Sequence, residues 1–136
     1  MSRWSVRYFC DEDGSLPVAE FFAQPSRIGI TLAEKVKFVA RLERIQEVGL
    51  ELLQRESDLL ESLKGVDNLF SIRLRNKSNN PRVLACALEG HRTIVLLHAF
   101  KELDRKAYKR AIPVAVRRRD LVVNDPVRWV CDHEIK

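Results

Sequence analysis

The sequence predicts an α+β domain in the order β-α-α-β-β-β-α: an antiparallel core sheet, a helical pair packed on one face, and a C-terminal basic helix. Three observations carry that prediction. Residues 3–9 alternate Trp4, Val6 and Tyr8 with Arg3, Ser5 and Arg7, the period of a half-buried strand. Leu32, Val36, Val39, Leu42, Ile45, Val48 and Leu52 then recur at steps of three and four, one apolar stripe along a long helix. From residue 68 the period returns to two and stays there through three apolar runs.

Each element has its local reason. Asp13-Gly14-Ser15 ends the first strand, and Ser15 is placed to cap a short helix across Val18, Ala19, Phe21 and Phe22. Residues 25–29 break that helix. Thr31-Leu32-Ala33-Glu34 is a capping-box pattern that opens the long helix, and Gly49 either ends it or weakens its last turn. Gly65 is a second stop, after the short segment 58–63. In the next strand Phe70, Ile72 and Leu74 point to the core, while Ser71, Arg73 and Arg75 point away. A polar loop at 76–81 follows. Strand 82–88 and strand 92–100 are nearly all apolar, as central strands are, and Glu89-Gly90-His91 is the tight turn between them. A basic helix spans about 105–121, with Pro113 kinking or dividing it. Residues 1–121 form the domain and 122–136 an extension, from which Val127, Trp129 and Val130 can dock on the body.

Composition bounds the function. With 136 residues, 46% hydrophobic and 32% charged, the chain is an ordinary globular protein with room for a core. Its net charge of +5 is unevenly spread. Residues 64–119 hold fourteen Lys and Arg against four Asp and Glu, a net of +10. Arginines inside strands cost burial energy unless they face solvent or a ligand, so this half suits a polyanion such as nucleic acid. A basic face kept for solubility is the alternative. Three far-apart cysteines, Cys10, Cys86 and Cys131, with no C-x-x-C spacing, point to a reducing compartment. Cys131 and His133 are two ligands short of a zinc site. No apolar leader or membrane-length run is visible, so the expected location is the cytoplasm, away from any membrane.

Four local matches, in order, add a resemblance. They are Val18-Ala19-Glu20-Phe21-Phe22; Leu63-Lys64-Gly65 with Leu69-Phe70-Ser71-Ile72-Arg73; Arg82-Val83-Leu84; and Ile94-Val95-Leu96-Leu97-His98-Ala99-Phe100-Lys101. Together these resemble the RelE/ParE toxin superfamily, in particular its HigB-like branch of phage-derived Gp49-like proteins. The resemblance implies a RelE-like fold and the toxin of a type II toxin–antitoxin system, a ribosome-dependent endoribonuclease acting on mRNA. Its implied partners are a cognate helix-turn-helix antitoxin, mRNA and the ribosome. Relatives on the same scaffold poison DNA gyrase instead, and a fold retained as a binding module without catalysis is a further alternative. The sequence departs from the family in having Pro81 before the strand arginine, Leu84 and Ala85 where an aromatic normally follows, and Glu102 in place of a second lysine.

Metal-independent RNA cleavage needs a base for the ribose 2′-hydroxyl, an acid for the leaving 5′-oxygen, and cations for the phosphorane charge. No metal or other cofactor is required. Arg73 and Arg82, on neighbouring strands, are the candidates for bidentate phosphate contacts, against a reading as surface arginines paired with Glu89 or Glu102. His98 has the chemistry for proton transfer, against a packed strand histidine sharing a face with Ile94, Leu96 and Phe100. Lys101 is a phosphate ligand or base. Tyr108 is a proton donor or stacking platform. Arg75, Lys77, Lys106, Lys109, Arg110, Arg117 and Arg118 are candidates for holding the RNA backbone. Three consecutive arginines at 117–119 span about 300° of a helix, so they cannot all meet one ligand.

Overall fold

The computed structural model describes residues 3–23, 30–56, 58–74 and 80–132. In chain order its elements are β1 (Ser5–Phe9), α1 (Pro17–Ala23), α2 (Leu32–Val48), a 3-10 turn (Gly49–Glu51) leading into α3 (Leu52–Arg55), β2 (Leu60–Ser62), β3 (Phe70–Arg73), β4 (Pro81–Leu88), β5 (Thr93–Lys101), α4 (Ala107–Asn124), α5 (Pro126–Trp129) and β6 (Val130–Cys131). The α+β class and the expected order hold. One six-stranded sheet runs β2-β3-β4-β5-β1-β6. Strands β2 to β5 are antiparallel throughout, but β1 lies parallel to β5, with Ser5 opposite Thr93 and Tyr8 opposite Leu96, so the sheet is mixed. The segment 58–63 supplies the short edge strand β2.

Each face of the sheet carries its own core. On one, Phe70, Ile72, Val83, Ala85, Ile94 and Leu96 pack against Val18 and Phe22 of α1 and Phe38, Leu42 and Ile45 of α2. Phe22 and Phe38 stack with centroids 4.0 Å apart. On the other, Leu84, Cys86, Val95 and Leu97 pack against Ala111, Ala115 and Val122 of α4 and Trp129 of α5. Ala111 and Ala115, one turn apart on the sheet-facing side, let the first half of α4 lie close to the strands.

Several local devices are the expected ones. Thr31 caps α2 through its hydroxyl, which accepts from the Glu34 amide at 3.1 Å, while Glu34 Oε1 accepts from the Thr31 amide at 2.8 Å. Gly49 stops α2 with φ 68° and ψ −144°. A Cβ there would collide with the Trp4 indole, which lies against the glycine. Pro113, by contrast, does not divide α4 as the sequence allowed: one helix runs through it, and the position is exposed, so the carbonyl one turn earlier can be hydrated.

Three expectations change. The buried face of α2 is Phe38, Leu42 and Ile45, while Leu32 and Val36 are 70% and 61% exposed, because the Phe22–Phe38 stack sets the helix rotation. Helix α1 starts at Pro17, and the Ser15 amide donates to Asp13 Oδ1 inside the preceding turn. Most consequentially, Cys10 and Cys131 form a disulfide. Residues after α4 return to the β1 edge, where Tyr8 opposes Cys131 and Phe9 opposes Val130. That corrects the reading of the three cysteines as unpaired; only Cys86, buried in β4, is free. Trp129 and Val130 dock there, whereas Val127 is exposed. No helix among the described residues is long and apolar enough to cross a membrane. The break expected at 25–29, and Arg75, Lys77 and His133, lie outside the described residues.

Candidate functional site

Two cross-strand rows build the site on the α4 side of the sheet. In the first, Arg73 of β3 opposes Arg82 of β4, which opposes Phe100 of β5. In the second, one pleat away on the same face, Ser71 opposes Leu84, which opposes His98. Tyr108, in the first turn of α4, closes over both rows. Its hydroxyl lies 2.8 Å from Ser71 Oγ, and its ring meets Phe100 edge-on at 5.1 Å. The His98 ring lies nearly parallel to Phe100 with centroids 5.9 Å apart.

His98 reaches this face through a β-bulge. Ala85 pairs with Leu96 but Leu84 pairs with His98, so Leu97 is an extra residue in β5. Ile94 and Leu96 stay with the α1/α2 core, and Leu97 joins the α4 core. The expected parity, which put His98 with Ile94 and Leu96, is therefore wrong by one residue beyond the bulge. A cavity of about 180 Å³ opens between the end of β5 and the start of α4, lined by His98, Phe100, Lys101, Ala107, Arg110 and Ala111.

The electrostatics of the site are those of cations already partnered. Arg73 is ion-paired with Glu61 of β2. Arg82, whose side chain is only 12% exposed, donates from Nε to Glu102 at 3.1 Å and from NH1 to the carbonyls of Leu74 and Pro81. Arg110 grips Asp104 with both carboxylate oxygens, at 2.9 and 3.2 Å. Burial, and then the charge of Arg118, push His98 down to about 4, so its ring is uncharged at neutral pH.

The structure thus pairs Arg73 with Arg82 beside Phe100, sets Tyr108 against Ser71 and Phe100, and lines the neighbouring cavity with His98, Lys101 and Arg110; no contact joins Lys101 to the two arginines among the described residues. Lys106, Lys109 and Arg117 are exposed on and beside α4. The three consecutive arginines diverge as their helical spacing requires. Arg117 points to solvent, Arg118 folds onto β5, and Arg119 reaches Asp120 and the Asp67 carbonyl. Sequence reasoning missed Ser71, Phe100 and Glu61. Ser71 was legible as facing away from the first core, but its burial needed α4 to cover that second face.

No curated protein matches the sequence. Among solved structures the chain is similar to the E. coli toxin RelE, an arginine-to-alanine double mutant in the free state, at 15% identity over 85% of this chain and 97% of that one, with a TM-score of 0.49. Residues 21–120 match the family described as phage-derived protein Gp49-like. That match covers most of the domain, including every described residue of both cross-strand rows and Tyr108, and the chain belongs to the phage-derived Gp49-like family, a family of RelE/HigB-type toxins.

Proposed function

We propose that this protein is the toxin of a type II toxin–antitoxin pair and cleaves mRNA on the ribosome without a metal. The observation that carries the reading is the Arg73–Arg82–Phe100 row under Tyr108, which puts two guanidinium groups, an aromatic platform and a phenol on one face. In the reaction the ribose 2′-oxygen attacks the adjacent phosphorus and expels the 5′-oxygen, leaving a 2′,3′-cyclic phosphate and a 5′-hydroxyl. Arg82 and Arg73 bear the phosphorane charge, exchanging their carboxylate partners for phosphate oxygens. In this reading Lys101 is the base for the 2′-hydroxyl proton and Tyr108 the acid for the leaving 5′-oxygen. His98, uncharged, lines the same cavity as a hydrogen-bonding partner for the phosphate. Exposed Lys106, Lys109 and Arg117 extend the basic face along the RNA backbone, with Arg110 at the cavity. The partners on this reading are ribosome-held mRNA and a helix-turn-helix antitoxin, in the cytoplasm.

Induction of the gene alone in bacteria tests the proposal. The expected result is growth arrest with mRNA cuts inside coding regions, abolished by Tyr108→Phe and by Arg82→Lys, which keeps the charge but loses the planar fork. Arrest with intact transcripts and inhibited supercoiling by purified gyrase would assign the chain to the gyrase poisons instead. Normal growth would reject both.

A further inference from the structure

The bulge in β5 turns two consecutive residues toward α4, and Arg118 meets them both. Its NH1 donates to the Leu97 carbonyl at 2.8 Å and lies 3.4 Å from His98 Nδ1. The guanidinium also rests over the Phe9 ring, 5.1 Å from its centroid, and Phe9 stacks on Trp129. A cation so held is not offered to solvent as an RNA ligand. Burial lowers the Arg118 pKa from its ordinary value, with Asp11 pulling it back up, and the group stays protonated.

A guanidinium has five N–H donors and no acceptor. A hydrogen bond between Arg118 and His98 Nδ1 therefore has one sense only, with Nδ1 accepting. In an uncharged imidazole the single proton must then sit on Nε2. We infer that Arg118 is a positioning residue: by occupying Nδ1 it fixes His98 as the neutral Nε2–H tautomer, so that the ring presents an N–H donor, and no lone pair, to a phosphate in the adjoining cavity. The role given to that donor rests on the RNA-cleaving reading above; the tautomer itself does not.

The surroundings agree. Lys101 on the same strand and Arg110 on α4 share the cavity with His98, so neither of these neighbours offers the ring a carboxylate. Leu84, opposite on β4, is apolar. Glu102, the nearest carboxylate along β5, is turned to Arg82. Among the described residues no carboxylate contact to the ring competes with Arg118 for its protonation state. The bulge supplies the geometry, because without the extra Leu97 the ring would enter the opposite core.

Long-range proton–nitrogen spectra of the nitrogen-15-labelled full chain test this, with the His98 ring assigned by loss of its signals in His98→Gln. The expected result is an unprotonated Nδ1 and a protonated Nε2 in one tautomer from pH 5.5 to 8. In Arg118→Met the ring should show mixed tautomers and titrate closer to 6.5. Arg118→Lys should partly restore the single tautomer, and Arg117→Met should leave the ring as it is. A protonated Nδ1 in the wild-type chain, or an unchanged ring in Arg118→Met, overturns the inference. The wild-type spectrum decides even if Arg118→Met fails to fold. On RNA, Arg118→Met should lower kcat about tenfold with KM and salt dependence unchanged. A raised KM with a shallower salt slope would make Arg118 an RNA ligand instead. Absence of cleavage by the wild type would reject the functional reading and leave the tautomer result standing.

Discussion

Arg82 and Glu102 are joined across the end of the β4–β5 ladder by a hydrogen bond of 3.1 Å from Nε to Oε1, so the central cation of the proposed site is neutralised in the free protein. Phosphate must displace that carboxylate before Arg82 can serve it. Glu102→Gln keeps the size and removes the competing charge. Affinity for a short RNA carrying 2′-O-methyl groups, which cannot be cleaved, should rise about fivefold, equivalent to about 1 kcal/mol for a partly exposed ion pair. Fluorescence anisotropy at low salt measures it, and an unchanged affinity would mean that Arg82 does not meet phosphate.

The same arginine holds the fold. Its NH1 serves the carbonyls of Leu74 and Pro81 at 3.2 and 3.0 Å. Arg82→Ala should therefore destabilise by about 1–3 kcal/mol through those unsatisfied groups. Arg82→Lys should cost less and is the cleaner probe of chemistry. Denaturant titration separates the two effects, and equal stability of all three proteins would show that these bonds contribute nothing.

His98 gives the stability a pH signature. Its ring takes a proton near 6.5 in the unfolded chain but, through burial and the Arg118 charge, only near 4 in the folded one. Between those values the unfolded state binds more protons, so acidification favours unfolding. The stabilisation is complete above 6.5 and is lost as pH falls through the folded value. The midpoint of thermal unfolding should drop from pH 7 to pH 4.5 in the wild type, and drop less in His98→Gln. Parallel curves for the two proteins would contradict the placement of the ring.

What the sequence disclosed and what it hid divide along the range of the interaction. The Thr31–Glu34 capping box, the alternation of Trp4, Val6 and Tyr8, and the apolar central strands are set by neighbours within a few residues, and each was legible. Arg73 and Arg82 could be placed on adjacent strands, and the pairing puts them directly opposite. The bulge at Leu97 was not legible, because it belongs to the register of two strands and not to either alone. Nor was the exposure of Leu32 and Val36, since an apolar count cannot choose between two faces when Phe38 stacks on a different helix. Arg118 read as one of three basic residues on a helix end; only the closing of α4 on β5 shows where it points.

Gly49 is a position where two constraints coincide. Its φ of 68° with ψ of −144° suits glycine alone, and the Trp4 indole fills the space of a Cβ. Gly49→Ala should cost about 3 kcal/mol or more, combining backbone strain with a displaced indole. Trp4 fluorescence and thermal unfolding followed together check it. A loss of stability with an unaltered indole spectrum would assign the cost to the backbone alone.

The Cys10–Cys131 bond ties the chain's last described strand to its first across 121 residues of sequence. Beside it, the Cys10 amide donates to the Trp129 carbonyl at 2.9 Å, and Trp129 stacks on the Phe9 that supports Arg118. Removing the cross-link should therefore lower stability by about 2–4 kcal/mol, chiefly by freeing the unfolded chain. Cys131→Ser measures that loss against the oxidised wild type in the same denaturant titration. Thiol counting under denaturing conditions should find one free thiol, that of Cys86, before reduction and three after it. Three thiols before reduction would show that the bond does not form in the purified protein, and the Trp129 contacts would then have to hold the C-terminal strand unaided.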